Sequence, residues 1–171
     1  EASVFAISDS RTFLTLETCM DHKARFEGEK GPNTGGMGAV SPNPLVGSRT
    51  ADAVEMQIIL PTIHGMNHEG RRFQGVLFAG IKLTPAGPKV LEYNVRFGDP
   101  ECQVLMVRMK SDLVPYLEAC AAGTLDQLEA PEWDERPAIT VILVSEGYPG
   151  KYQTGVPIHG LEDLDDDPDL Q

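Results

Sequence analysis

The sequence has no apolar run long enough to cross a membrane as a helix, and no segment typical of a secretion signal. It is also short of basic residues, since 14 Lys and Arg stand against 26 Asp and Glu for a formal net charge of −12. This charge disfavours nonspecific binding to nucleic acid. Only three cysteines occur, Cys19, Cys102 and Cys120, and they lack metal-ligand spacing. We therefore predict free thiols in a reducing compartment and a cytoplasmic location.

What is present is the composition of a globular protein, with 41% hydrophobic and 23% charged residues. The length of 171 residues suffices for one sizeable core, or for one core and part of another. Six of the acidic residues fall within 162–171, which we expect to form a solvated tail. The chain opens inside a strand pattern without an initiator Met and closes in this acidic stretch. We expect it to be a segment of a longer polypeptide.

Residues 90–101 carry the most informative pattern, Val-Leu-Glu-Tyr-Asn-Val-Arg-Phe-Gly-Asp-Pro-Glu. Glu92, Asn94 and Arg96 alternate along a predicted strand, so their side chains should share one face. Carboxylate and amide oxygens beside a guanidinium suit Mg²⁺ and phosphate, although a half-exposed strand with a polar face would show the same alternation. Asp99 reads as an N-cap, followed by Pro100 as the first residue of a helix.

A second signal is the segment 31–38, which holds four glycines in eight residues. Such a segment lets backbone amides approach an anion closely, but a mobile connector is the common alternative. It lacks the Lys-Ser/Thr ending of a Walker loop and does not fit the dinucleotide fingerprint. Asp21, His22 and Lys23 precede it with a carboxylate, an imidazole and a cation, and taken on their own these three are better explained by an exposed turn.

Periodicity and turn residues predict the remaining elements. Paired strands are expected at 3–7 and 12–16, a hairpin at 75–83 and 88–96, and a strand at 138–145. Helices are expected from 48 or 50 to about 67, from 100 to about 109, and from 111 to 122, where Gly123 ends the last one. Pro61 should kink or split the first helix. We expect a long loop from 18 to about 47 and a domain boundary at 126–136.

Together these stretches resemble the glycinamide ribonucleotide synthetases, also called phosphoribosylamine–glycine ligases, a family of ATP-grasp enzymes. The matching segments occur in the family's order at 1–3, 21–23, 31–42, 75–80, 89–103, 110–113 and 147–150. The resemblance implies an α+β fold with a mixed or antiparallel sheet and helices. It implies that residues 1–125 form the C-terminal half of an ATP-grasp domain, that 126–136 is a linker, and that 137–171 begins a small C-terminal domain.

The resemblance also implies an activity, the joining of glycine to 5-phosphoribosylamine to give glycinamide ribonucleotide in de novo purine synthesis. The reaction would proceed through glycyl phosphate, with ATP as a substrate, Mg²⁺ or Mn²⁺ as cofactor, and no nucleic-acid or membrane partner. We expect this segment to be inactive alone. The alternative is a non-catalytic module of the same fold that binds a nucleotide or metabolite.

Site residues follow from the resemblance position by position. Glu92 and Asn94 would hold the metal, and Arg96 would stabilise charge on the transferring phosphoryl group or the acyl phosphate. Asp99 would either orient the amine or simply cap its helix. The residues implied for substrate and phosphate binding are Asp21, His22, Lys23, Asn33, Thr34, Gly35, Gly36, Met37, Gly38 and Gly98.

Overall fold

The computed structural model describes residues 1–161, so the acidic stretch expected to be a solvated tail lies outside the described residues. The strands are β1 (Ala2–Ser8), β2 (Phe13–Thr15), β3 (Met20–Asp21), β4 (Ala24–Phe26), β5 (Lys30–Asn33), β6 (Gly38–Ser41), β7 (Gly75–Thr84), β8 (Gly87–Asn94) and β9 (Ala138–Val141). The helices are α1 (Ser48–Val54), α2 (Leu60–His68), α3 (Glu101–Arg108) and α4 (Leu113–Ala122). A π-helical turn at Glu55–Ile59 joins α1 to α2, and a short 3₁₀ turn follows α4 at Leu125–Gln127.

The main sheet is antiparallel and has the strand order β2-β1-β7-β8. Both predicted hairpin pairings are confirmed, because β1 pairs with β2 and β7 pairs with β8. Strand β1 occupies the interior of the sheet and is buried along its whole length. Burial on both sides requires layers above and below the sheet.

Alternate residues of β1 supply those two layers. Phe5 and Ile7 pack in one apolar cluster with Leu105 of α3 and residues of α4. Val4 and Ala6 pack on the opposite side in a second cluster, with Val54 of α1 and residues of α2. The period-2 pattern of the sheet thus places α1 and α2 on one face and α3 and α4 on the other.

The first helix is continuous from α1 through the π-helical turn to α2, and Pro61 does not split it. Pro61 has no N–H to donate to the preceding turn. The π-helical turn lies directly before it, and the Thr62 hydroxyl donates to the carbonyl of Ile58 at 2.6 Å. A wider helical turn and a side-chain donor together accommodate the proline without a break.

The prediction of a structureless loop over 18–47 is wrong. Strands β4 and β5 form a small hairpin, and β3, β6 and β9 form a second antiparallel sheet with β6 in the centre. These strands are two to four residues long, too short to show a readable alternation. In addition, β6 takes its second partner, β9, from a distant part of the chain, which local sequence cannot reveal.

Arg108, at the end of α3, ties the predicted 126–136 segment to the body of the fold. The residue is 4% exposed, and its guanidinium donates to the carbonyls of Asp134 and Arg136 at 2.8 and 3.0 Å. It also donates to the Glu17 carboxylate at 3.1 Å and to the Ser41 hydroxyl at 2.9 Å. This buried arginine holds several parts of the chain together, because its planar guanidinium can donate to all four acceptors at once.

The N-termini of α3 and α4 are capped differently. Asp112 caps α4 as an N-cap residue, accepting a hydrogen bond from the amide of Val114 at 2.9 Å. Asp99 does not cap α3, so that prediction is wrong: Pro100 occupies the cap position, and Asp99 instead accepts a bond from the Gln103 side chain at 2.7 Å. Within residues 1–161, none of the helices combines the length and the apolar character needed to cross a membrane.

Candidate active site

The C-terminal end of β8 brings three predicted site residues to one pocket. Glu92, Asn94 and Arg96 all line it, as their alternation predicts. A register shift opposite Gly80 and Ile81 interrupts the pairing of β7 with β8 just before Glu92. Gly80 faces Glu92 across the strands, and a Cβ at position 80 would lie 3.2 Å from the Glu92 side chain. The missing side chain therefore gives Glu92 its room.

Lys23 connects this strand to the Asp21-His22-Lys23 segment. Its ammonium lies 3.8 Å from a carboxylate oxygen of Glu92 and 3.8 Å from one of Asp21. Lys23 and Glu92 are both partly exposed, so neither pair is a tight, desolvated bridge. The cation instead occupies the space between two carboxylates and offsets part of their negative charge.

Asp21, the acid of that segment, is deeply buried. Its side chain is 7% exposed, and its Oδ1 atom has no hydrogen-bond partner among the described residues. Burial, reinforced by the nearby charge of Glu101, raises the pKa of Asp21 to about 6, and the charges of Lys23 and His22 oppose this only in part. A buried carboxylate held in this way is typical of a functional site.

Glu101 is a pocket residue for which the sequence suggested no role. It is 2% exposed, lines the same pocket, and accepts a hydrogen bond from the Ser3 hydroxyl at 2.8 Å. Gly98 makes space for it, because a Cβ at position 98 would clash with the Glu101 carboxylate. Its place in the first turn of α3, within the Asp-Pro-Glu run, is the signal that could have marked it.

Arg96 and Asp99 lie at the exposed side of the pocket. Arg96 lies two residues beyond the end of β8 and donates to the carbonyl of Phe97 at 2.7 Å. This bond occupies one nitrogen of the guanidinium and leaves the group at the pocket, where it can meet an anion.

The glycine-rich segment contributes fewer free amides than its composition suggested. Between positions 34 and 37, each backbone amide donates to a protein oxygen: the acceptors are Lys23 O, Tyr148 OH, Thr34 Oγ1 and His22 O, in chain order. Thr34 and Gly35 line the pocket, whereas His22, Asn33, Gly36, Met37 and Gly38 do not.

Gly36 nevertheless has a strict steric role beside the pocket. It adopts φ +138°, and a Cβ there would clash with Pro100 and lie 3.2 Å from Asp21 Oδ1. His22 points outward, with its ring nitrogen 3.4 Å from the carboxylate of Glu29. Asn33 and Gly38 are engaged in pairing, with β4 and β9 respectively.

A second cavity adjoins this pocket and shares Asp21, Lys23, Phe78 and Glu92 with it. Its other walls include Gly80, Ile81 and Leu91. The two cavities form one groove along the face of β7 and β8, more apolar at one end and strongly charged at the other. The charged end is lined by four carboxylates and two cations, so a polyanionic ligand would bind there together with a divalent cation.

The donor set fits a magnesium ion that is shared with a phosphate. Glu92 and Asn94 offer a carboxylate and an amide oxygen from one strand, and among residues 1–161 no group of three or more His, Cys, Asp or Glu side chains could hold a metal on its own. Mg²⁺ typically takes one or two carboxylates and completes its shell with water and substrate phosphates. The two protein oxygens in this groove match that coordination preference of Mg²⁺.

Comparison with known families identifies the fold of the larger part of the chain. Residues 1–102 match the family model for the phosphoribosylglycinamide synthetase ATP-grasp (A) domain. The fold and this match define an ATP-grasp protein. The chain belongs to the phosphoribosylglycinamide synthetase family.

Individual relatives are similar over nearly the whole chain. A phosphoribosylamine–glycine ligase from Rhodopirellula baltica is 52% identical over 96% of the chain, and one from Agrobacterium fabrum is 54% identical over 92%. The crystal structure of a phosphoribosylamine–glycine ligase from Thermotoga maritima superposes with a TM-score of 0.79 at 32% identity, covering 90% of this chain. The chain spans 38%, 37% and 38% of those three proteins, respectively.

Proposed function

We propose that the parent protein of this chain is an ATP-dependent ligase that joins glycine to 5-phosphoribosylamine. One observation carries the proposal. Glu92, Asn94, Arg96 and Lys23 converge on one pocket, in a chain about half identical to proteins named phosphoribosylamine–glycine ligase. The products would be glycinamide ribonucleotide, ADP and phosphate, formed in purine synthesis.

The reaction divides into two displacements. A carboxylate oxygen of glycine attacks the γ-phosphorus of ATP, and ADP leaves, which gives glycyl phosphate. The amine nitrogen of phosphoribosylamine then attacks the glycyl carbonyl carbon, phosphate leaves, and the nitrogen loses a proton. Phosphoryl transfer depends on positioning and charge neutralisation more than on covalent help from the protein.

Two cations of this chain would supply that neutralisation. Lys23 stands between two carboxylates at the junction of the two cavities, where the ATP phosphates would lie. Arg96, on the exposed side, would stabilise charge on the transferring phosphoryl group or on the acyl phosphate. Asp99 does not cap α3, which leaves orientation of the amine as its proposed role.

Glu92 and Asn94 would hold Mg²⁺ or Mn²⁺. When bound, the ion would neutralise charge on the ATP phosphates. The residues proposed to contact glycine and the sugar phosphate are Asp21, His22, Lys23, Asn33, Thr34, Gly35, Gly36, Met37, Gly38 and Gly98. Five of these residues line the pocket: Asp21, Lys23, Thr34, Gly35 and Gly98.

The proposal also assigns parts of the chain. Residues 1–125 would be the C-terminal half of the ATP-grasp domain, 126–136 a linker, and 137–171 the start of a small C-terminal domain. A cytoplasmic location is consistent with Cys19, Cys102 and Cys120, which are all free thiols.

Glu92→Gln in the full-length parent tests the activity. The substitution keeps the size of the side chain and removes its charge, so amide formation with saturating glycine and phosphoribosylamine should fall by about 10²-fold or more. Glu118→Gln, on the exposed face of α4, is the matched control and should retain wild-type turnover. A wild-type parent that binds ATP but forms no amide would instead identify a nucleotide-binding module.

A further inference from the structure

The segment Gly147-Tyr148-Pro149-Gly150 carries part of the family resemblance, and none of its residues has a role in the proposed reaction. Tyr148 is half-buried and contacts the chain at both of its ends. Its hydroxyl accepts a hydrogen bond from the amide of Gly35 at 3.3 Å. Its backbone carbonyl accepts one from Nε of Arg25 at 2.9 Å.

These two bonds hold the glycine-rich segment from outside. The amides of Thr34, Gly36 and Met37 bind acceptors within residues 22–34. The Gly35 amide alone among positions 34–37 is bound by the C-terminal part of the described chain. Because Arg25 belongs to β4 and Gly35 follows β5, Tyr148 links the small hairpin to the segment that leaves it.

Tyr148 also has an unused donor. Its hydroxyl oxygen accepts from Gly35, while its own proton has no acceptor among residues 1–161. The ring is fixed by an edge-on contact with Tyr152, with centroids 5.6 Å apart. The result is an oriented O–H group next to Gly35, a residue that lines the active-site pocket.

We infer that Tyr148 is a positioning residue for the sugar-phosphate substrate: it fixes Gly35 at the rim of the pocket and offers its hydroxyl proton to an oxygen of that substrate. The inference rests on the proposed function. Glycine is small enough to lie wholly within the pocket, beside the buried Asp21. The phosphorylated sugar is larger and would extend past Gly35, the lining residue whose amide donates to the Tyr148 hydroxyl.

Tyr148→Phe in the full-length parent removes only the hydroxyl, and Tyr152→Phe makes the same change four residues away without touching Gly35. Steady-state kinetics should show a KM for phosphoribosylamine about 3- to 10-fold higher for Tyr148→Phe, the range expected for the loss of one hydrogen bond. The KM for ATP, the KM for glycine and kcat should stay within twofold of wild type, and Tyr152→Phe should match wild type throughout.

A second measurement does not depend on turnover. Hydrogen exchange in a peptide covering 34–38 should be faster in Tyr148→Phe than in Tyr152→Phe, because the Gly35 amide loses its acceptor. Equal kinetics in the two variants would overturn the inference, and so would a uniform loss for all three substrates together with a lower melting temperature. A wild-type parent without ligase activity would contradict the proposed function, a result separate from both of these.

Discussion

Burial of Asp21 with one oxygen that has no hydrogen-bond partner among the described residues is a cost that a purely structural residue would not be expected to carry. The pKa of Asp21 is raised to about 6 from an ordinary value of 3.8, chiefly because burial disfavours the charged form. A raised pKa means that the contribution of this group to stability is greatest below the ordinary value. It is lost as the pH rises through about 6.

We therefore predict that Asp21→Asn stabilises the metal-free and nucleotide-free parent at pH 8. The gain should be on the order of 1–3 kcal/mol, and it should vanish near pH 4, where the wild-type carboxyl is protonated. Thermal unfolding at the two pH values checks this, with Asp52→Asn on the exposed side of α1 as the control. A lower melting temperature for Asp21→Asn at pH 8 would show that its carboxylate supports the fold.

At the scale of elements, α3 connects the main sheet, the β3-β6-β9 sheet and the 132–136 segment. Its last residue, Arg108, binds Glu17, Ser41 and two backbone carbonyls. Two more backbone bonds, from Lys110 to Glu132 and from Asp134 to Arg108, run beside it. The helix thus fixes a stretch that the sequence suggested was a linker.

Arg108→Met should lower the free energy of unfolding by about 3–5 kcal/mol, because it leaves Glu17 and the carbonyls of Asp134 and Arg136 without their donor. Chemical denaturation of the parent measures the loss. Arg49→Met, at an exposed position of α1, makes the same change where nothing is buried and should shift stability by less than about 0.5 kcal/mol. Equal shifts in the two variants would contradict the role given to Arg108.

The elements also show what the sequence can and cannot predict. The hairpins and α4 were predictable because their signals are local: alternation in β1 and β7, Asp112 at a helix start, and Gly123 in the left-handed conformation at its end. The alternation of Glu92, Asn94 and Arg96 likewise placed them in one pocket. The β6–β9 pairing and the burial of Glu101 beside Asp21 depend on contacts between distant parts of the chain, which carry no local signature.

At the scale of the whole molecule, the groove runs along β7 and β8, with residues 21–23 and 34–35 also in its lining, and parts of that lining are exposed to water. Glu92 and Lys23 remain partly exposed, and Leu91 is 54% exposed at the apolar end. The chain spans less than two fifths of the ligases it resembles. A site that does not exclude water cannot protect an acyl phosphate from hydrolysis.

We therefore predict that the 171-residue chain alone releases no measurable ADP from ATP with glycine and phosphoribosylamine. The full-length parent, assayed at the same protein concentration, is the positive control. Turnover by the isolated chain in the ordinary enzyme range of about 1 to 10³ s⁻¹ would show that the proposed active site has been misplaced.

The central position of β6 has a consequence for the order in which the protein folds during its synthesis. On the ribosome, β3 and β6 emerge early, but the outer partner of β6 is β9, and Tyr148 follows later still. Until then β6 presents an unpaired edge, and the glycine-rich segment lacks the contact that fixes Gly35. Long-range pairings of this kind form slowly. The Gly35 contact therefore forms only after β9 and Tyr148 are synthesised, and a nascent chain that stalls before β9 exposes an edge of β6 that is open to pairing with other chains.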